Sequence, residues 1–168
     1  MQTANQLQDH IDGLIDDWKH IAPNRSYADM ELATRLLRSV TLLVKHIMPV
    51  IQDAGLNQGE FDVLATLCRN GGTLSPTELY QRLLITSGAM TNRLDCLENK
   101  GLVQRRVNPA DKRSMEVKLT PEGHMLFEPL LELYLAKLAT TFSPLEQADK
   151  TAINHGLRQL LLSLEGEQ

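Results

Sequence analysis

Asn92 and Arg93 are adjacent side chains of the types that hydrogen-bond base edges in a duplex, asparagine to adenine and arginine to guanine. Gly88 and Ala89 stand just before them, and such short side chains let a helix come close to a groove floor. A second pair, Lys112 and Arg113, ends the stretch Asn108-Pro109-Ala110-Asp111-Lys112-Arg113, whose residue types favour a turn. Cations on a narrow loop tip can enter a minor groove, whose A·T-rich form concentrates negative potential. Asp111 is placed to steady Arg113 by an ion pair, an interaction that is weak where exposed. Each feature taken alone has a plainer explanation, an ordinary amphipathic surface helix for the first and solvated charge for the second.

The surrounding residues decide between these explanations. Ser75-Pro76-Thr77-Glu78 puts a hydroxyl at N-cap, proline at the first helical position and glutamate at N3, so a helix starts sharply there. Leu79, Leu83 and Tyr80 supply its apolar face, and it ends near Leu84-Ile85 because Thr86-Ser87 is a new turn and cap. A second helix then runs from Ser87 to about Lys100, closed by Gly101 at C′. Met90, Leu94 and Leu97 form its buried stripe, with Gly88, Ala89, Asn92, Asp95 and Asn99 around the wheel and Thr91 and Arg93 on the flanks. The segments 103–107 and 115–119 alternate as strands on either side of the cationic turn. Two capped helices followed by a basic hairpin predict a winged helix-turn-helix, in a chain that is mainly α with a small β wing.

The run from Glu60 to Leu67 (EFDVLATL), the segment GAMTNRLDCLENKGLVQRR, the Asp111-Lys112-Arg113 tip and the LTPEG that follows resemble the MarR family of bacterial transcriptional regulators. The resemblance covers the centre of the chain closely and the helical flanks in arrangement. It implies a single domain over 1–168, with a winged DNA-binding lobe over 57–120 and dimerisation helices in 1–54 and 121–168. It also implies a homodimer on double-stranded DNA carrying a palindromic operator. The expected DNA contacts are Ser75, Thr77, Ser87, Gly88, Ala89, Thr91, Asn92, Arg93, Lys112 and Arg113, with Asp111 supporting the wing.

The flanks read as helices throughout. One is expected from about Gln6 to His20, with Leu7, Ile11, Leu14, Ile15 and Trp18 at helical spacing, and a longer one from about Asp29. Leu32, Leu36, Val40, Leu43, Ile47 and Ile51 share a face of the latter, and Pro49 within it should kink or loosen it. Asn57 to Glu60 begins another helix, ended by Asn70-Gly71-Gly72. Beyond the wing, Thr120-Pro121-Glu122 caps a long helix, and Pro129 puts a bend within reach. Ser143 to Glu146 forms a box expected to open the last helix. The terminal helices hold more apolar surface than a winged module needs, which fits either a larger monomeric core or a dimer interface.

The 168 residues, 42% hydrophobic and 23% charged, suit one soluble globular domain. No apolar run reaches membrane-spanning length and the first residues lack a signal-peptide pattern, so a cytoplasmic protein with no membrane partner is expected. The net charge of −4 is compatible with DNA once divided. Residues 75–113 carry seven cations and four anions, net +3, leaving ten cations and seventeen anions, net −7, for the rest. Phosphate attraction is then local.

A branch of the MarR family, PecS-like and responsive to urate, pairs a Trp on the N-terminal helix with an Asp and two Arg near the DNA-binding lobe. This sequence is similar at Trp18, Asp62, Arg93 and Arg105, with Arg106 an equal match for the last. The resemblance implies a small aromatic anion as effector, such as urate or a phenolic compound. It would act by favouring a conformer that does not bind DNA. Trp18 as a packing residue and Asp62 as a local cap or local partner within its helix remain open. Cys96, on the polar side of the second helix, admits a thiol-oxidation response, and a winged-helix protein-interaction module is the other alternative. The five histidines are scattered, and no phosphate loop, nucleophile elbow or paired-carboxylate motif occurs, so no metal, cofactor or enzymatic activity is expected.

Overall fold

The computed structural model of the chain describes residues 8–109 and 111–166. Gln6 and Leu7, at the start of the first expected helix, lie outside the described residues. The elements are α1 (His10–Ile21), α2 (Ala28–Asp53), α3 (Gln58–Arg69), β1 (Thr73–Leu74), α4 (Pro76–Arg82) and α5 (Ser87–Asn99), then β2 (Val103–Val107), β3 (Met115–Leu119), α6 (Pro121–Thr141) and α7 (Gln147–Gly166). The chain divides into two compact units, 1–46 and 47–168.

In the first unit, Asp9 caps α1 through a reciprocal box with Asp12. Ile11 and Ile15, four residues apart, are buried with Tyr27, and Leu14 packs beside them. The Tyr27 hydroxyl lies within hydrogen-bond distance of the carbonyls of Trp18 and Ala22, 3.1 and 3.0 Å away, at the C-terminal end of α1. Arg35 closes the unit by donating to Asp9 at 2.7 Å, Asp12 at 2.6 Å and Glu31 at 2.5 Å.

The second unit is organised around α3, which packs on α4, α5, α6, β1 and β3. Asn57 and Glu60 cap it reciprocally, as the sequence pattern requires. Val63, Leu64 and Leu67 are fully buried, and Phe61 stacks at a tilt on Phe127 and Tyr134 of α6, with centroids 5.5 and 4.8 Å apart. The sheet is antiparallel in the order β1-β3-β2, with Val103 opposite Leu119 and Val107 opposite Met115. Its inner face runs from buried Val103, Val117 and Leu119 out to exposed Val107 and Met115. The two wing strands have the expected bounds, whereas β1 comes from pairing Thr73 and Leu74 with β3 rather than from any pattern of its own.

Pro49 and Pro129 sit inside α2 and α6, whose spans run on past them. Both prolines are exposed, so the carbonyl that loses its donor can be solvated. The Ser143 box is not formed: its hydroxyl donates to the Thr140 carbonyl at 2.9 Å, and α7 begins only at Gln147. No helix among the described residues is long and apolar enough to cross a membrane.

The start of α6 is fastened to the end of α5. Thr120 donates its N–H to the Leu102 carbonyl at 3.1 Å and its hydroxyl to the Gly101 carbonyl at 2.7 Å. Gly123, one turn later, is buried so tightly that a methyl group in its place would run into the Leu102 carbonyl oxygen. Gly123→Ala should therefore cost on the order of 1–3 kcal/mol in urea unfolding. Gly156→Ala, where a methyl meets nothing, should be neutral or slightly stabilising as a helix-interior exchange. Equal effects at the two positions would contradict the packing argument.

Candidate nucleic-acid interface

The Ser75 hydroxyl accepts the Glu78 N–H at 3.2 Å and donates to the Glu78 carboxylate at 2.8 Å, so Ser75 serves the cap of α4, with Thr77 exposed beside it. Residues 83–86 then turn the chain into α5. The Leu84 N–H donates to the Gln81 carbonyl at 3.3 Å and the Ile85 N–H to the Tyr80 carbonyl at 3.1 Å, a Schellman closure. That closure puts its C′ residue in the left-handed region, and Leu84 has φ of 51°. Thr86 caps α5 by accepting the Ala89 N–H at 3.2 Å.

On α5 the stripe Met90, Leu94 and Leu97 is buried, which turns Ser87, Gly88, Thr91 and Asn92 to solvent and leaves Ala89 half-buried. The Thr91 hydroxyl donates back to the Ser87 carbonyl at 3.0 Å. A methyl on Gly88 would meet nothing within 4 Å, so nothing inside the chain requires glycine there. At the wing, Asp111 accepts the backbone N–H of Arg113 at 3.0 Å, so its support runs through the backbone and not through the expected ion pair. Ser114 donates its N–H and its hydroxyl to the Asp111 carbonyl, each at 3.0 Å, closing the tip. Lys112 and Arg113 are exposed and, among the described residues, carry no ion pair.

Four other cations of this region are engaged within the chain. Arg93 lies over the first turn of α3, where its guanidinium fills the space a side chain on Gly59 would occupy and donates weakly to the Gly59 carbonyl at 3.5 Å. Asp62, one turn further along α3, accepts the Gln58 amide at 2.9 Å. Arg105 donates its guanidinium to Asp95 at 2.6 Å and to Glu98 at 2.6 and 2.9 Å, and its backbone N–H to Glu98 at 2.9 Å. Arg106 donates across the wing to Glu116 at 3.0 Å. Lys100, the C-cap of α5, donates to both oxygens of Glu60 at 2.7 and 2.8 Å and to the Gly55 carbonyl at 2.8 Å. Asp62 pairs locally within α3, as the sequence left open, whereas the partners of Arg93, Lys100, Arg105 and Arg106 escaped sequence reasoning because they lie 7 to 45 residues away. The one local signal was Glu60 in its capping box.

Trp18 belongs to the first unit and packs on Tyr27, with ring centroids 6.5 Å apart and an interplanar angle of 27°. It remains 42% exposed. Asp62, Arg93 and Arg105 belong to the second unit. Cys68 and Cys96 are exposed free thiols. Among the described residues, no three His, Cys, Asp or Glu side chains are grouped to hold a metal ion.

Two capped helices with an exposed polar face, followed by a hairpin with unpaired cations at its tip, define a winged helix-turn-helix of the transcription-regulator class. The MarR family profile matches residues 54–114, which span α3 through the wing tip. The chain is similar to the HTH-type transcriptional regulator PecS of Dickeya dadantii, 29% identical over 84% of this chain and 86% of that protein. It is 32% identical to the HTH-type regulator YkoM of Bacillus subtilis over 69% of this chain and 75% of that one. Among solved structures it resembles Bordetella bronchiseptica BpsR, whose DNA binding is regulated by 6-hydroxynicotinic acid. That match has a TM-score of 0.68 at 27% identity, over 77% of this chain and 98% of that one. The chain belongs to the MarR family of transcriptional regulators.

Two measurements follow from this geometry. Leu84→Gly should raise stability by about 1 kcal/mol in urea unfolding, because glycine adopts φ of 51° without the Cβ clash. A loss of stability would mean that Leu84 packs in a way its exposure does not show. The second concerns acid. The Arg105 backbone N–H and guanidinium hold the Glu98 carboxyl below the ordinary glutamate range. A group depressed on folding contributes stability above its unfolded pKa and loses it as pH falls through the folded value. Glu78, held down by Ser75, and Asp9, lowered to about 2 chiefly by Arg35, act in the same direction. Thermal melts from pH 7 downward should fall below the ordinary carboxylate range, and Glu98→Gln should make that limb shallower without abolishing it. An unchanged limb in Glu98→Gln would remove the Arg105 clasp from the account.

Proposed function

We propose that the protein is a dimeric, sequence-specific DNA-binding repressor, released from a palindromic operator by a small aromatic anion. The observation that carries this reading is the division of the cations in the winged unit. Lys100, Arg105 and Arg106 hold the fold together, while Lys112 and Arg113 at the wing tip stay exposed beside an open polar helix face. Ser75, Thr77, Ser87, Gly88, Ala89, Thr91, Asn92 and Arg93 complete the contact surface. Ser75 keeps its cap, and Arg93 leaves its weak bond to Gly59 when a base or phosphate offers a better acceptor.

Dimerisation is supported by α7, in which no residue is buried although Ile153, Leu160, Leu161, Leu162 and Leu164 are apolar. The helices of 1–54 and 121–168 would join two copies so that their α5 helices lie one DNA turn apart, roughly 34–36 Å. The regulation of BpsR by 6-hydroxynicotinic acid supports an aromatic anion as the effector class, and urate is the candidate that the PecS-like pattern names. Trp18, Asp62, Arg93 and Arg105 would receive it. Arg105 is the costly member, because the ligand must compete with Asp95 and Glu98 for the guanidinium.

Fluorescence anisotropy on DNA upstream of the protein's own gene, with a scrambled competitor, tests the reading. Specific binding is expected, reversed by urate, and Arg113→Ala should cost on the order of 1–3 kcal/mol and lower the salt slope. Specific binding that urate leaves intact would move the search to other aromatic anions. No preference over scrambled DNA would replace the regulator with a protein-docking module.

A further inference from the structure

We propose that Leu84, in the turn between α4 and α5, is a specificity-determining residue that packs on a thymine methyl group at the edge of the site read by α5. The proposal rests on the DNA-binding reading above.

Four helices, α2 to α5, end in the same pair of hydrogen bonds. After α2 the donors are Gly55 and Leu56, after α3 Gly71 and Gly72, after α4 Leu84 and Ile85, and after α5 Gly101 and Leu102. The first of each pair is the C′ residue, with φ of 73°, 78°, 51° and 71° in turn. Three of the four are glycine, the residue that reaches this region without strain. At the fourth, immediately before the helix with the base-reading side chains, the chain places leucine. It is the only non-glycine with positive φ among the described residues.

The side chain gains nothing inside the chain that would offset the strain. Leu84 is 82% exposed, more than any other large apolar side chain among the described residues. Two residues separate it from Ser87, and a side chain on the neighbouring Gly88 would meet nothing within 4 Å, so the turn sets an exposed apolar side chain beside an open start of α5. In a major groove the one apolar group offered by a base edge is the C5-methyl of thymine. An exposed leucine matches it, whereas a phosphate oxygen would call for a donor at this position.

The test uses the full-length protein and the duplex that binds it specifically. Each thymine of that duplex is replaced in turn by deoxyuridine, which lacks only the methyl. The wild-type protein should lose about fourfold in affinity at one symmetry-related pair of thymines, the worth of one buried methyl. Leu84→Gly, which suits the backbone and should melt no lower than wild type, should bind more weakly and show no response at that pair. Leu84→Asn, also compatible with the turn, should behave in the same way. Identical deoxyuridine profiles for wild type and Leu84→Gly, or a weaker variant whose thymine response persists, would overturn the proposal while leaving DNA binding in place. Wild-type protein with no preference over scrambled DNA would overturn the DNA-binding reading itself, and this proposal with it.

Discussion

The second unit depends on a single buried carboxylate. Glu60 is 2% exposed, and an ionised group there must find partners for its oxygens or carry a large desolvation cost. It accepts the Asn57 N–H at 2.8 Å, which caps α3, and the Lys100 ammonium, which caps α5. Lys100 reaches on to the Gly55 carbonyl in the turn before α3. The start of α3 and the end of α5 are thereby held by one charge. The wing is attached in turn, because Arg105 of β2 is clasped by Asp95 and Glu98 of the same α5. Orientation passes from α3 to α5 to β2 through two ion-pair groups, and the exposed contact residues inherit it.

This arrangement changes the meaning of the charge count. Seven cations against four anions over residues 75–113 suggested a basic module. Two of those cations take their partners from outside the window, Glu60 and Glu116, so part of the positive excess is offset within the fold. The field that a duplex would meet comes less from an excess of positive charge than from where pairing stops, as it does at Lys112 and Arg113. Charge pairs within the module act as joints, and the unpaired ends are left to release counterions from DNA.

Much of the winged unit was legible from the chain because its signals are local. Ser75 with Glu78, Asn57 with Glu60, Thr120 before Pro121, and Gly101 after Lys100 act within four residues, and the strands 103–107 and 115–119 show their alternation directly. The misses have the opposite character. β1 exists only by borrowing β3, the clasp on Arg105 spans a helix and a strand, and Tyr27 stacks on Trp18 across a turn. Ser143 had the right spacing for a cap, but a nearer acceptor, the Thr140 carbonyl, took its hydroxyl. Leu84 was read as the end of a helix and its backbone conformation went unseen, since glycine is the usual signal for that geometry and was missing here.

The uncovered length of α7 has a thermodynamic consequence. Its 20 residues bury nothing, so tertiary packing within the chain contributes little to keeping it helical. A helix of that length standing alone in water is close to marginal. If a second copy covers its apolar stripe, helix formation there draws its free energy from association and follows the law of mass action. Dilution would then loosen the C-terminal end first, with the core around Leu64 and Leu94 untouched. Cellular abundance would itself become an input to the protein, setting the fraction of chains whose two DNA-facing units are held in register.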